Sequence, residues 1–161
     1  MSEISVAFRP MSADEFSRYI ERSIPEYADA HLKAGHSMPE DALKKAQDQY
    51  GELLPQGLAT PGNQFFTIAD ANNRANLGMC WFEVKQKQGK TKAFIYDFYL
   101  EHAFRGQGLG SQVMEELEKR VRKLGATAIE LYVFGDNVNA RSLYERCGFR
   151  YTDMRMSKEL A

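Results

Sequence analysis

The stretch HAFRGQGLGSQVMEELEKR, residues 102–120, decides the fold. Gly106, Gly108 and Gly110 stand at alternate positions behind Arg105, and a strongly helical run follows at once. Leu109, Val113, Leu117, Val121 and Leu124 share one helical face, and Gly125 ends the pattern. Glutamates gather early in the run and basic residues late, which complements the helix dipole. Glycine permits tight turns and close backbone approach. A helix start exposes unpaired N–H groups at the positive end of that dipole. Together these predict an anion cradle, most often one for phosphate. A turn that merely packs strand against helix would also use glycine. Three in alternation, with Arg105 before and the Ser111 hydroxyl after, favour the phosphate site.

The phosphate ligand is constrained. A nucleoside-triphosphate loop needs Gly-Lys-Ser/Thr, and no lysine stands here. A dinucleotide turn needs glycine where Ser111 stands. Asp136 as a ribose-binding acid would require this unit to open the fold, whereas it lies in the C-terminal half.

Outward from the loop, AIELYVF (128–134) predicts a strand, NARSLYERCGF (139–149) a short helix capped by Gly148, and FRYTDMRMSK (149–158) a last strand. Before the loop, QFFTIAD (64–70), ANLGMCWFEV (75–84) and KAFIYDFYL (92–100) have period two. Turns at 71–74 and 85–90 make them an antiparallel meander. The first third is helical after a short strand from about Ile4 to Arg9. Ser12 and Glu15 form a capping box, Pro25 is expected to break that helix, and Gly35 ends the next. A second box over 37–40 predicts a helix to about Leu54. The result is a mixed α/β fold. Its strand–helix–strand unit implies a parallel pair, with the glycine loop at the carboxyl end of the first strand, where open α/β sheets bind ligands.

Composition removes other classes. A chain of 161 residues suits one domain, 1–161, with a sizeable core. The net charge of −1 gives no bulk attraction to nucleic acid or an anionic membrane. The start lacks a signal-peptide pattern, and no segment is apolar enough to span a bilayer. Cys80 and Cys147 match no CxxC spacing and read as reduced packing residues in a cytoplasmic protein. His31, His36 and His102 form no metal-ligand pattern, so no metal is expected.

Two motifs carry a resemblance. RGQGLG (105–110) resembles the R-x-x-G-x-G signature of the GNAT superfamily of acyl-CoA-dependent N-acetyltransferases. NVNARSLYERCGF (137–149) is similar to that family's N-x-x-A-x-x-L-Y-E-x-x-G-F pattern. The resemblance covers the chain from about Gln64 onward. It implies a mostly antiparallel mixed sheet with a splayed central parallel pair, flanked by helices. It also implies acetyl-CoA as cosubstrate, with residues 64–161 as its binding core and 1–60 on the acceptor side. The diphosphate of coenzyme A would rest on the amides of Arg105, Gly106, Gln107, Gly108, Leu109, Gly110 and Ser111. The pantetheine arm would bind backbone groups around Phe98, Tyr99 and Leu100, and Asn137 would contact the coenzyme. Tyr144 matches the tyrosine that in many members protonates the departing thiolate.

The chemistry asks for these types. An amine attacks a thioester carbonyl, and a fixed N–H, here that of Leu100, can stabilise the growing oxyanion. A thiol has a pKa of about 8.5, so a phenol donor helps without being essential. Tyr144 could also be a packed aromatic. Asp97, a lone carboxylate in an apolar strand, is the sharpest candidate base, because burial would raise its pKa. It could equally hold a cationic substrate by charge, or be an ordinary strand-edge aspartate. Glu101 is a weaker candidate. Strict alternation predicts Asp97 and Tyr99 on one face and Tyr96, Phe98 and Leu100 on the other, which could separate base from acid. Tyr19, Glu26, Tyr27, His31, Trp81 and Glu83 are candidates for the acceptor pocket, though packing explains each as well. The expected reaction is direct transfer to a small amine or a peptide amine, with no acyl-enzyme, by a chain that the resemblance suggests is a homodimer. A binding module of the same shape that senses acyl-CoA without turnover is the alternative.

Overall fold

The architecture is that of a computed structural model describing residues 3–161, so the first two residues of the expected 1–161 unit lie outside the described residues. Among the described residues the strands and α-helices follow in order: β1 (Val6–Pro10), α1 (Ala13–Lys33), α2 (Ala42–Leu53), β2 (Asn63–Asp70), β3 (Asn76–Lys87), β4 (Lys90–Leu100), α3 (Leu109–Lys123), β5 (Ala128–Leu131) and α4 (Val138–Arg146). One sheet holds the strands in the order β1-β2-β3-β4-β5. The first four pair antiparallel, and β4 pairs with β5 in parallel.

Alternation sorts the sheet residues between two cores. Phe66, Ile68, Cys80, Phe82, Ala93 and Ile95 face α3, whose Val113, Leu117 and Val121 are fully buried against them. Phe65, Met79 and Trp81 face the other way, under Tyr19 of α1 and Tyr50 of α2. Both faces are covered, so β2 is buried along most of its length and β3 over Leu77–Phe82. Each fully buried large aliphatic contributes about 1.5–3 kcal/mol.

Four local expectations change. Pro25 does not break α1, which runs unbroken across it. Proline removes one helical hydrogen bond, but Tyr19, Ala28 and Ile24 pack the helix down on either side. The box at 37–40 starts no helix. The Met38 carbonyl instead accepts from the amides of Asp41 and Ala42, and α2 begins at Ala42. The predicted strand 128–134 stops at Leu131. The last predicted strand, 149–158, is absent: residues 151–161 are exposed and carry no strand. The capping box of Ser12 and Glu15 forms as read, and Arg9 and Thr67 also bond the Glu15 carboxylate.

Candidate active site

The three glycines do different jobs. Gly106 and Gly108 have φ of 72° and 76°, a region that costs other residues strain. Gly110 has ordinary helical geometry, but a Cβ there would lie 3.0 Å from the Leu143 side chain of α4. Two glycines therefore shape the loop, and the third lets α3 and α4 approach. Among the described residues, no protein acceptor takes the amides of Gly106 through Ser111. They converge at the start of α3, whose left-handed N-cap Gly108 offers no side-chain cap. The Leu109 side chain is buried in the core, so this residue offers the loop only its backbone. The Ser111 hydroxyl accepts from the Cys147 sulfhydryl at 4.0 Å.

The loop sits at the end of a gap. β4 pairs with β5 only over Lys92–Ile95 with Ala128–Leu131, then runs five residues further to Leu100. The Glu101 amide donates to the Leu77 carbonyl of β3. Alternation therefore turns the Leu100 N–H towards the gap. The Leu100 carbonyl accepts from Arg105 Nε at 2.8 Å, and the same guanidinium lies over the Tyr99 ring. Arg105 thus ties the loop back to β4. Gln107 anchors the loop from the other side, its Nε2 donating to the Ala103 carbonyl.

A β-bulge corrects the facing of β4. Trp81 pairs with Asp97 and Phe82 with Ile95, so Tyr96 is the extra residue. Tyr96 stacks on Trp81, on the α1 side, instead of joining Phe98 and Leu100. Asp97 points to α1 as well, where its Oδ2 accepts from the Tyr19 hydroxyl at 2.8 Å. Burial raises the Asp97 pKa against the lowering effects of that hydrogen bond, the Arg22 charge and the Phe98 amide. Burial, with the Asp97 charge next, pushes the Tyr19 phenol well above its ordinary value.

Tyr144 lies in α4 on the other side of β4, packed edge-on to Phe149 and against the core beneath α3. No hydrogen bond to protein engages its hydroxyl among the described residues. Burial raises its pKa, and the charges of Cys80 and Asp97 add to that. Base and acid candidates thus sit on opposite faces of β4 yet within electrostatic reach of each other. Asn137 caps α4, its Oδ1 accepting from the Ala140 amide at 3.3 Å.

The acceptor candidates separate. Tyr19 joins Asp97, whereas Trp81 is buried with its indole donating to Asn63. Glu83 accepts from Tyr96, and Tyr27 donates to Gln49. Glu26 lies 3.9 Å from Arg22. His31 stacks near Tyr27, His36 and Phe134. Two contributors went unread. Arg22 lies over the Tyr99 ring, 4.5 Å from its centroid, and within 3.9 Å of Glu101. Its spacing of three from Tyr19, on one helical face, was the available signal. Gly78 was the other. A Cβ there would overlap the Tyr99 carbonyl and lie 2.9 Å from Leu100 Cα, so glycine lets β3 press against the end of β4.

A mixed sheet opening after one parallel pairing, with a glycine loop feeding a helix at the opening, defines an α/β protein with an anion-binding mouth. The model of the acetyltransferase (GNAT) family matches residues 26–149, and the chain belongs to that family of acyltransferase enzymes. It is 35% identical to the uncharacterized N-acetyltransferase YycN of Bacillus subtilis strain 168, over 98% of this chain and all of that one. The crystal structure of Bacillus subtilis YycN superposes with a TM-score of 0.90 at 34% identity, covering 98% of this chain and 99% of the other. A mycothiol acetyltransferase of Propionibacterium freudenreichii is 30% identical over 74% of this chain but only 35% of its own length. Among the described residues, no helix is long and apolar enough to cross a membrane, and no cluster of three or more His, Cys, Asp or Glu is placed to hold a metal ion.

Proposed function

We propose that this chain moves an acetyl group from acetyl-CoA to a primary amine by direct attack in a ternary complex. The observation that carries this reading is the set of unpartnered amides from Gly106 to Ser111 at the mouth of the β4–β5 gap. They suit the diphosphate of coenzyme A by number, charge and position. Acetyl-CoA supplies an activated acyl thioester, and the chain orients it. Phe98, Tyr99 and Leu100 offer the backbone edge left open beside the gap. The Leu100 N–H is the donor for the developing oxyanion. Asn137, through the amide nitrogen that its cap leaves over, makes a further contact with the coenzyme.

Asp97 takes the proton of the attacking amine. Its raised pKa makes it a better base than an exposed carboxylate near neutral pH. Tyr144 donates to the departing sulfur: a phenol is protonated at neutral pH, and among the described residues no hydrogen bond to protein occupies its hydroxyl. The fold reads as one unit in which residues 1–60 wall the acceptor side and 64–161 hold the coenzyme. The carboxylates of Asp97, Glu26 and Glu101 surround Arg22 and favour a cationic small amine or peptide amine.

The test is mass spectrometry of products from a mixture of amines, polyamines, aminoglycosides and peptides, with thiol release followed in parallel. The expected result is one amine class gaining an acetyl group with matching thiol release. Coenzyme binding without transfer to any amine would contradict it and indicate a non-catalytic binding module.

A further inference from the structure

Arg22 shares one face of α1 with Tyr19 and Glu26, and this face reaches the end of β4 beside Asp97. Its guanidinium carbon lies 4.5 Å from the centre of the Tyr99 ring. Arg105 of the glycine loop lies over the same ring at 5.0 Å. Stacking on an aromatic ring holds a guanidinium in place without using its donors.

The donors of Arg22 are open. Glu26 and Glu101 stand 3.9 Å away, beyond hydrogen-bond range. Among the described residues no hydrogen bond leaves an Arg22 nitrogen, and Nε is buried without an acceptor. Elsewhere the same chain closes such pairs. Arg9 donates to both oxygens of Glu15 at 2.8 and 3.0 Å, and Arg122 donates twice to Glu118. An arginine serving only to neutralise a carboxylate bonds it in this way. Arg22 is fixed, charged and unbonded, and the desolvation cost of its buried N–H is offset when an acceptor arrives.

The site therefore offers charge of both signs. Asp97, Glu26 and Glu101 suit an ammonium group, and Arg22 suits an anion. A simple cationic amine uses only the first set. An amine that carries its own carboxylate uses both.

We propose that Arg22 sets acceptor specificity by receiving the carboxylate of a small zwitterion, an amino acid or a short peptide, whose amine turns to Asp97. The planar fork of a guanidinium matches a carboxylate through two parallel hydrogen bonds. Glu26, whose side chain is 63% exposed, has room to swing outward as the anion enters. The fate of the amine rests on the transfer reaction proposed above, whereas the carboxylate contact is a binding event that can be read separately.

Calorimetry on the full chain saturated with coenzyme A reads that contact without turnover. The titrants are free amino acids, dipeptides and the C-terminal amide of each. In one of the two groups the acid should bind at least about tenfold tighter than its amide, the value of a hydrogen-bonded charge pair. Arg22→Gln should bring acid and amide within about threefold of each other. The ratio within a pair cancels any change at Asp97, which both members meet. Equal affinity of acid and amide in the parent, no binding of either, or a preference that survives Arg22→Gln would overturn the proposal, and the first two need no variant to fold. Thiol release from acetyl-CoA with the same pairs separates the two readings. Acid-selective binding without release keeps the role of Arg22 and removes the transfer reaction. Release with amides as readily as with acids keeps the transfer reaction and removes the role of Arg22.

Discussion

The Tyr19 hydroxyl donates to Asp97 across 2.8 Å, joining α1 to the end of β4 through a buried charged contact. The bond favours the carboxylate, while burial opposes it and wins. Removing the donor in Tyr19→Phe should raise the Asp97 pKa further. A base acts as carboxylate, so the acid limb of kcat/KM against pH should move to higher pH. Asp97→Asn should remove that limb and slow transfer by about 10²- to 10⁴-fold. An acid limb that survives in Asp97→Asn would assign proton removal to another group.

Tyr144→Phe keeps the ring packed on Phe149 and deletes only the hydroxyl. Turnover should fall by about 10²- to 10⁴-fold, the span of general acid catalysis. The Kd for coenzyme A should stay within about threefold by calorimetry, because a general acid acts in the transition state. A large loss of affinity with unchanged turnover would make Tyr144 a binding residue.

Gly78→Ala should harm both fold and activity. The added methyl overlaps the Tyr99 carbonyl, and backbone cannot step aside cheaply. A loss of about 1–3 kcal/mol is the ordinary cost of overpacking. Chemical denaturation would measure it. Because the strain falls beside Leu100, kcat should drop even at temperatures where the variant is folded.

Glu15 links acid sensitivity to the first strand and helix. Its bidentate bond with Arg9, aided by Thr67 and the Ser12 amide, lowers its pKa from 4.5 to about 2. A depressed carboxylate stabilises the fold above its unfolded pKa and loses that contribution as pH falls through the folded value. Between pH 5 and pH 2 the parent should therefore lose about 1–3 kcal/mol more stability than Glu15→Gln. Equal slopes of stability against pH would contradict the network.

Much of this was legible in the sequence. Period two gave the meander, helical spacing gave α3, and the paired glycine and tyrosine motifs gave the family. Residues whose roles depend on neighbours far along the chain were not legible. The bulge at Tyr96 follows from how β3 and β4 meet, and no local pattern in FIYDFYL announces it. Pro25 sits inside α1 because tertiary packing outweighs one lost hydrogen bond. Gly78 reads as an ordinary strand residue until β4 lies against it. The predicted last strand, 149–158, shows the reverse case: its composition suits a strand, but no strand of the described residues pairs with it.

The nest behind Arg105 is best tested by amide hydrogen exchange over residues 105–112 with and without saturating coenzyme A. Marked slowing confined to Gly106–Ser111 and the open edge of β4 is the expected result. Unchanged exchange there, in protein that calorimetry shows to be coenzyme-bound, would place the diphosphate elsewhere and remove the basis of the proposed reaction.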